Sequence, residues 1–445
     1  MIANSAAVPS SSAAHFSIPN LVFENRTQLD AMQFDTVDQH GSAFHVVVVK
    51  TAYLLGARDA GGAATLTLVA AELNVEDRYF DEPHATSVRQ ESDFAPYKPA
   101  CDVIVNATAY APGAKPTTGF QVRLAVHHAQ GAPLIDKALG ISGERSFQKK
   151  MALWRMVQWV GNVTTAGMLQ PNPWRMSLAQ PATNLPLRYA FASGGECRID
   201  KGDASGAPAA HESSDENPCG RGFARRWYLD AKRIKAVPAP RIAQAGTPLT
   251  AQQFWRTAKG AALPAPVGMG VVGRGWLPRR TLAGTFDEKA SWGKDDVPRL
   301  PEDFDFAYYN CAPRDQQCPY LGGQEKFVLV NLCSPEHPSG TVESNGNAVL
   351  RFTLPQQALF LLAADGGNNL MTKRMVIDTV TIEPDENRVD LVWRALLPTD
   401  ADLRVARLMQ ISEAAQIARL DEMLEIQAAL GRNAHASPQT ESQAR

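Results

Sequence analysis

The chain has 445 residues, of which 44% are hydrophobic and 20% are charged. This composition supports a sizeable buried core and excludes a globally disordered protein. Lys and Arg total 44 against 46 for Asp and Glu, so the net charge of −2 provides no basic excess that would drive binding to nucleic acid. No apolar stretch reaches the ~18 residues that cross a bilayer, so we expect no membrane span.

Residues 1–19 are rich in Ser and Ala and contain neither Lys nor Arg. Because they also lack an apolar core, they predict a flexible leader and not a secretory signal, which favours a cytoplasmic location. The six cysteines include no C-x-x-C pair. They predict reduced, mostly buried thiols in place of a disulfide scaffold or a zinc site.

Residues 20–145 are predicted to form one N-terminal antiparallel β domain. Residues 44–55 contain four consecutive valines and predict a central strand that is buried on both faces. Residues 64–69 alternate in polarity and predict its hairpin neighbour across Gly61 and Gly62. Further strands are predicted at 102–110 and at 119–126, the latter paired with 137–141.

Residues 146–300 are predicted to be a turn-rich region with long loops. The segment 147–168 fits neither the helical nor the strand period well, and we assign it as a strand. Residues 201–216 have almost nothing to bury and predict a solvated loop. Residues 251–259 predict one short helix.

Residues 301–400 are predicted to be a C-terminal β portion that completes the body, with strands at 327–332, 348–354, 374–382 and 388–395. Residues 384–387 predict the hairpin loop between the last two strands. Residues 402–431 lack an internal Gly or Pro and predict a long C-terminal helix that stops at Gly431. This helix would pack on the β body or bind a partner, and 434–445 would be a disordered tail. The predicted fold class is therefore mainly β, with antiparallel β-sandwich-like domains and a long C-terminal α-helix.

Few sequence patterns in the chain carry chemistry. Residues 268–273 match G-x-G-x-x-G, but prolines flank them on both sides, so the helix that a dinucleotide site needs cannot begin there. The nine histidines are scattered and predict no metal site. Acidic residues at Asp303 and Asp305 would share a face in a strand, although nearby prolines favour turn capping. We therefore predict no catalytic residue, no metal and no cofactor, which favours a binding module over an enzyme.

Several segments, taken in order, resemble one bacterial family of type VI secretion effector adaptors or chaperones, catalogued as domain of unknown function family 2169. The resemblance is carried by 25–27, 46–53, 97–103, 143–145, 187–195, 217–223, 276–287, 300–317 and 390–395, and so covers about residues 20–396. The positions that match the family's motifs, each serving as scaffold or as contact surface, are Lys50, Tyr97, Lys98, Asp102, Arg145, Gly194, Gly195, Asn217, Gly220, Gly222, Phe223, Trp276, Arg279, Gly284, Asp303, Asp305, Asn310, Asp315, Gln316 and Gln317.

The resemblance implies a non-catalytic adaptor that holds a toxic effector and helps to load it onto the secretion spike. The implied partners are an effector with a PAAR-type spike-tip domain (Pro-Ala-Ala-Arg repeats) and the valine-glycine repeat (VgrG) spike trimer. Two alternatives stay open. One is a hydrolase with an acidic site near Asp303, Asp305 and Asp315, which requires convergent carboxylates of raised pKa. The other is a carbohydrate- or peptide-binding β-sandwich, which an exposed aromatic patch would support.

Overall fold

The computed structural model describes residues 20–82, 86–150, 172–285, 300–367, 369–399 and 401–435, with side chains to residue 427. Within these ranges the fold is mainly β, as predicted. The predicted leader at 1–19, most of the predicted strand at 147–168 and residues 436–445 of the predicted tail lie outside the described residues.

The described residues form 28 strands. In chain order they are β1 Val22–Asn25, β2 Asp30–Val37, β3 Ala43–Arg58, β4 Ala64–Val69, β5 Arg78–Tyr79, β6 Val88–Gln90, β7 Cys101–Val105, β8 Thr108–Tyr110, β9 Gly119–His127, β10 Pro133–Ser142, β11 Ser146–Lys149, β12 Trp174–Met176, β13 Asn184–Pro186, β14 Ser193–Gly194, β15 Glu196–Ile199, β16 Ala210–Ser213, β17 Arg221–Gly222, β18 Ala236–Pro238, β19 Ile242–Gln244, β20 Gln317–Cys318, β21 Lys326–Val330, β22 Gly340–Val342, β23 Ala348–Thr353, β24 Ala358–Asp365, β25 Leu370–Arg374, β26 Val376–Glu383, β27 Arg388–Pro398 and β28 Leu403–Ile411.

The helices are fewer and mostly short: α1 Arg226–Ala231, α2 Ala251–Ala258, α3 Leu277–Arg280 and α4 Ala414–His435. Helix α2 confirms the prediction at 251–259. Its first turn is fixed by a capping box, in which the Thr250 hydroxyl accepts a hydrogen bond from the Gln253 amide and the Gln253 side chain accepts one from the Thr250 amide.

A curled sheet of 13 strands forms the body, in the order β19-β10-β9-β21-β23-β4-β3-β27-β26-β7-β20, with β2 on β3 and β22 on β23. The valine run at 46–49 lies on β3, the longest strand, which pairs with β2, β4 and β27. All four valines are fully buried, which confirms the predicted central strand. The hairpin loop predicted at 384–387 is also present, with Asn387 in the left-handed conformation between β26 and β27.

Strands from both halves of the chain alternate within this sheet. Strand β7 pairs in parallel with β26, and β3 pairs with β27, so residues 20–145 do not form a separate domain. The predicted boundary at 145 failed because hydrophobic alternation shows which faces are buried but not which distant strand supplies the partner. From residues 301–400, strands β20 to β23, β26 and β27 enter this same sheet, whereas β24 and β25 belong to a second sheet.

A second sheet, in the order β1-β28-β24-β25, packs its apolar face into the main core through residues such as Leu361 and Leu408. Here the prediction of a helix from 402 is wrong, because residues 403–411 form β28, which pairs with β1 and with β24. The helix α4 begins only at Ala414. It packs on β24 of its own chain through Ile417 and Leu420.

The turn-rich region carries a small core of its own. Phe254 on α2 stacks on Phe147 with ring centroids 4.3 Å apart and meets Trp174 edge to face at 5.2 Å. The predicted loop at 201–216 contains one strand, β16, which pairs with β15. All six cysteines are free thiols, and five of them are buried. Among the described residues no helix is long and apolar enough to cross a membrane.

Candidate functional site

Strand β7 places a carboxylate inside the protein. Asp102 is fully buried, and its Oδ2 lies 2.9 Å from the ammonium of Lys98, which also donates to Thr379 Oγ1 at 2.8 Å. Burial alone would lower the pKa of Lys98, but the Asp102 carboxylate, with Cys311 and Asp378, outweighs it and raises that pKa. The lysine is therefore a fixed positive charge and not a titrating base.

The same carboxylate anchors the loop that follows the 3₁₀ turn Phe306–Tyr309. Asp102 Oδ1 accepts hydrogen bonds from Asn310 Nδ2 at 3.0 Å and from the Ala312 amide at 3.1 Å. Its Oδ2 accepts a third from the Cys311 amide at 2.9 Å. Because both oxygens are saturated by donors, Asp102 holds structure together and has no free lone pair for a ligand.

Arg279 fixes the position of helix α3 in a similar way, through hydrogen bonds to other segments. Its guanidinium binds the Glu91 carboxylate and donates to the carbonyls of Val272 at 2.7 Å and Tyr308 at 2.7 and 3.0 Å. Only 4% of the side chain is exposed. A planar donor with five N–H groups can bind several acceptors at once, so Arg279 joins α3 to three other segments.

Two further ion pairs are buried beside Asp102. Lys50 on β3 lies 3.0 Å from Asp93, and Arg394 on β27 pairs with Asp378 while donating to the carbonyl of Asp93 at 3.0 Å. These charges are satisfied from within the chain. The motif positions Lys50, Lys98, Asp102 and Arg279 thus lie in the interior, where they stabilise one arrangement of the loops.

Above this buried layer lies a groove of about 670 Å³, which we call the motif groove. It is lined by two motif segments, 276–282 and 305–317, together with residues from 265–272. Its walls are mostly apolar and include Val267, Val272, Trp276, Pro278, Leu282 and Pro313. Of the motif positions, the groove brings together Trp276, Arg279, Asp305, Asn310, Asp315 and Gln317.

A few polar groups interrupt the apolar lining. Lys137 is nearly buried and lies 2.7 Å from Asp315, whose side chain is 59% exposed. Burial lowers the pKa of Lys137, and Asp315 opposes this. Asn310 is 1% exposed, and its Oδ1 has no hydrogen-bond partner among the described residues. An apolar cleft with a few placed polar groups is the usual character of a protein's binding site.

The acidic residues that would form a hydrolytic site are instead engaged in contacts within the chain. Asp303 accepts hydrogen bonds from the amide and the hydroxyl of Thr285, both at 2.8 Å, and these bonds lower its pKa. Asp305 caps the turn Phe306–Tyr309 by accepting from the Ala307 amide at 2.8 Å. Asp305 and Asp315 line the groove and Asp303 does not. The lowered pKa of Asp303 is opposite to the raised value that a general acid requires.

A second group of motif positions forms a tight backbone junction outside the groove. Asn217 donates from Nδ2 to the carbonyls of Tyr189 at 2.9 Å and Ser193 at 3.0 Å. Gly194 pairs with Gly222, and a Cβ on Gly194 would lie 2.1 Å from the Asn217 carbonyl oxygen. Close backbone approach therefore explains these glycines.

The remaining motif positions also have partners within the fold. Gln316 donates to the carbonyls of Val103 and Met269, Gln317 donates to the carbonyl of Ala312, and Tyr97 contacts Phe306 edge to face. Close contacts surround Gly195, Gly220 and Gly284, and Phe223 packs in the small core around Phe254. Arg145 is the exception: burial lowers the pKa of this arginine, and its Nε has no hydrogen-bond partner among the described residues.

Sequence reasoning did not single out Lys137, Glu91 or Asp378 as site residues. A lone aspartate in the apolar strand around Asp378 was a usable signal for a buried ion pair. The sequence around Lys137 and Glu91 contains no such signal, since the partners of these residues are distant in the chain. In the described part of the chain, no three His, Cys, Asp or Glu side chains are grouped so that they could hold a metal ion. Among those residues Tyr320, at 36%, is the single aromatic side chain that is more than one-third exposed.

The chain was compared with known proteins and families. Neither the comparison with curated proteins nor that with solved structures found a match. One family model matches residues 40–394, a span that includes the motif groove and the buried ion pairs. The chain therefore belongs to the family described as an uncharacterized protein conserved in bacteria (DUF2169).

Proposed function

We propose that this chain is a non-catalytic adaptor of type VI secretion. It holds a toxic effector in the cytoplasm and helps to load it onto the secretion spike. The effector would carry a PAAR-type spike-tip domain, and the VgrG trimer would receive the complex. The resemblance of the motif segments supplies this assignment.

One observation supports it physically: the buried charges of the motif segments are paired within the chain, and the same segments leave a mostly apolar groove at the surface. Lys98, Asp102 and Arg279 are bound by other groups of the chain, and Asp303 and Asp305 hold loops. What faces outward is a mostly apolar cleft of about 670 Å³. Such a surface suits the side chains of another protein, which gain by leaving water, better than it suits proton transfer.

A tagged version of the full chain, expressed from its own promoter in a bacterium that carries it, tests the proposal. The chain is isolated under conditions in which secretion genes are expressed, and the co-eluting proteins are identified by mass spectrometry. One dominant partner with a toxin or spike-tip domain is the expected result. Recovery of the folded chain alone would refute the adaptor function, and an untagged strain controls for proteins that bind the resin.

A further inference from the structure

Strand β2 is the longest outer strand of the two larger sheets. It has eight residues and pairs with β3 along its full length in a regular antiparallel register. The other outer strands of these sheets, β1, β19, β20, β22 and β25, have two to five residues. No residue of β2 is buried, and Met32 is 45% exposed.

The free side of β2 carries unused hydrogen-bonding groups. In an antiparallel pair, alternate residues direct their N–H and C=O groups away from the partner strand. None of the described residues other than those of β3 binds a backbone group of β2. Strand edges are usually protected by charged side chains, by proline or by a bulge; β2 has neither proline nor a bulge, and its only charged residues are Asp30 and Asp35.

The edge is also acidic. Residues 30–38 contain Asp30, Asp35 and Asp38 and no Lys or Arg. Their carboxylates are held in place by the Leu73 amide, by the buried His45 ring at 2.6 Å and by the Ser42 amide respectively. Like charges facing each other across two strands are unfavourable, whereas opposite charges attract. A strand added here would therefore be basic.

We propose that the outer edge of β2 is a strand-addition site for an extended, basic segment of a partner protein. Main-chain hydrogen bonds would supply the affinity, and the aspartates would select for basic side chains. That the partner is the effector rests on the proposed function. The strand-addition site itself does not, because it follows from the geometry and charge of β2.

Hydrogen–deuterium exchange on the full chain tests the site. The probe is a peptide of about ten residues, long enough for a typical strand, in which Lys and Val alternate. A matched peptide alternates Glu and Val. We expect the Lys-Val peptide to slow exchange at the outward-facing amides of residues 30–37. It should bind about fivefold more tightly than the Glu-Val peptide, because Asp30 and Asp35 lie on opposite faces of β2 and the lysines of the peptide, which share one face, meet one of them, so that one favourable contact replaces one repulsive contact.

Proline variants locate the contact. Of the adjacent residues Met32 and Gln33, one directs its N–H to β3 and the other directs it outward. Met32→Pro and Gln33→Pro each remove one backbone N–H group. The variant that loses the outward N–H keeps its bonds to β3, so it should retain the wild-type melting temperature but lose peptide binding. Should both variants unfold, Met32→Lys keeps the backbone intact and should weaken binding of the Lys-Val peptide.

Several outcomes would overturn the site: no slowing of exchange in 30–37, equal binding of the two peptides, or unchanged binding by the folded proline variant. Slow exchange of the outward-facing amides of β2 in the free chain would also overturn it. If that slowing is independent of protein concentration, the chain's own residues cover the edge, and if it grows with concentration, a second copy does. If the peptide experiments fail but the pull-down succeeds, the adaptor function is retained and only the strand-addition site is rejected. If the pull-down fails but the peptide binds as expected, the strand-addition site is retained and the adaptor function is rejected.

Discussion

Lys98 and Asp102 form an ion pair inside the protein, with Nζ and Oδ2 2.9 Å apart and the two side chains 8% and 0% exposed. The pair joins the segment before β7 to the start of that strand. Through the second carboxylate oxygen it also fixes the loop at 310–312. The shape of the motif groove therefore depends on a charge that never meets solvent.

The substitution Asp102→Asn should lower the free energy of unfolding by about 3–5 kcal/mol, because it leaves the Lys98 charge buried without a partner. The new amide would also point a donor at backbone N–H groups. Urea unfolding followed by circular dichroism measures the change. The control is Asp200→Asn, which removes an exposed pair with Arg198 and should leave the urea midpoint unchanged. Equal effects of the two variants would contradict the structural role of Asp102.

The local hydrophobic pattern of the sequence predicted the strands well where burial of apolar side chains determines the structure. The valine run at 46–49 could be stable only with both faces covered, and β3 has neighbours on both sides. Pattern failed at 403–411, where Leu, Arg, Ala and Met favour a helix by propensity. Pairing with β1 and β24 outweighs that preference, and a register shift near Asp365 agrees with the imperfect alternation.

The site was predictable only in part. The resemblance identified Trp276, Asn310 and Asp315, which line the motif groove. It could not separate groove residues from buried ones such as Asp102, since both kinds belong to the same motifs. Lys137 reaches the groove from β10, and no local feature of the sequence distinguishes it from any other strand lysine.

Gly194→Ala should destabilise the protein by about 3 kcal/mol, through steric overlap and backbone strain. Gly194 has a φ of +149°, and a methyl group there would lie 2.1 Å from a carbonyl oxygen. Thermal unfolding measures the loss. Gly275→Ala is the matched control, because its added methyl group would meet nothing within 4 Å and its φ is not in the left-handed region. A wild-type melting temperature for Gly194→Ala would show that the junction can relax.

His337 should make stability depend on pH. Burial lowers the pKa of His337 from the usual 6.5, although the Pro384 carbonyl opposes this. The ring nitrogen Nδ1 accepts from the Ser339 amide at 3.2 Å, while Nε2 contacts the Pro384 carbonyl at 3.1 Å, so the neutral ring fits and a second proton would displace the Ser339 bond.

Between the lowered pKa and pH 6.5 the unfolded chain binds more protons than the folded chain. The free energy of unfolding therefore rises with pH across this window. The contribution of His337 to stability is lost as the pH falls through the same window. Urea midpoints measured at several pH values should show a smaller acid-induced fall in His337→Asn than in the wild type. His128→Asn, which alters an exposed ring, should keep the wild-type profile. Identical profiles for all three proteins would exclude His337 as the titrating group.

Leu282→Glu should weaken partner binding at least about tenfold without unfolding the chain, since burying an unpaired carboxylate in an apolar contact is unfavourable. Leu282 lines the motif groove and is only half-buried, so the free protein can keep the new charge in water. The binding of the partner recovered in the pull-down is measured by titration. Leu178→Glu is the control, because Leu178 is 93% exposed and does not line the groove. If Leu282→Glu binds like Leu178→Glu while both melt as the wild type does, the partner contacts another surface, and the edge of β2 is then the next to be mutated.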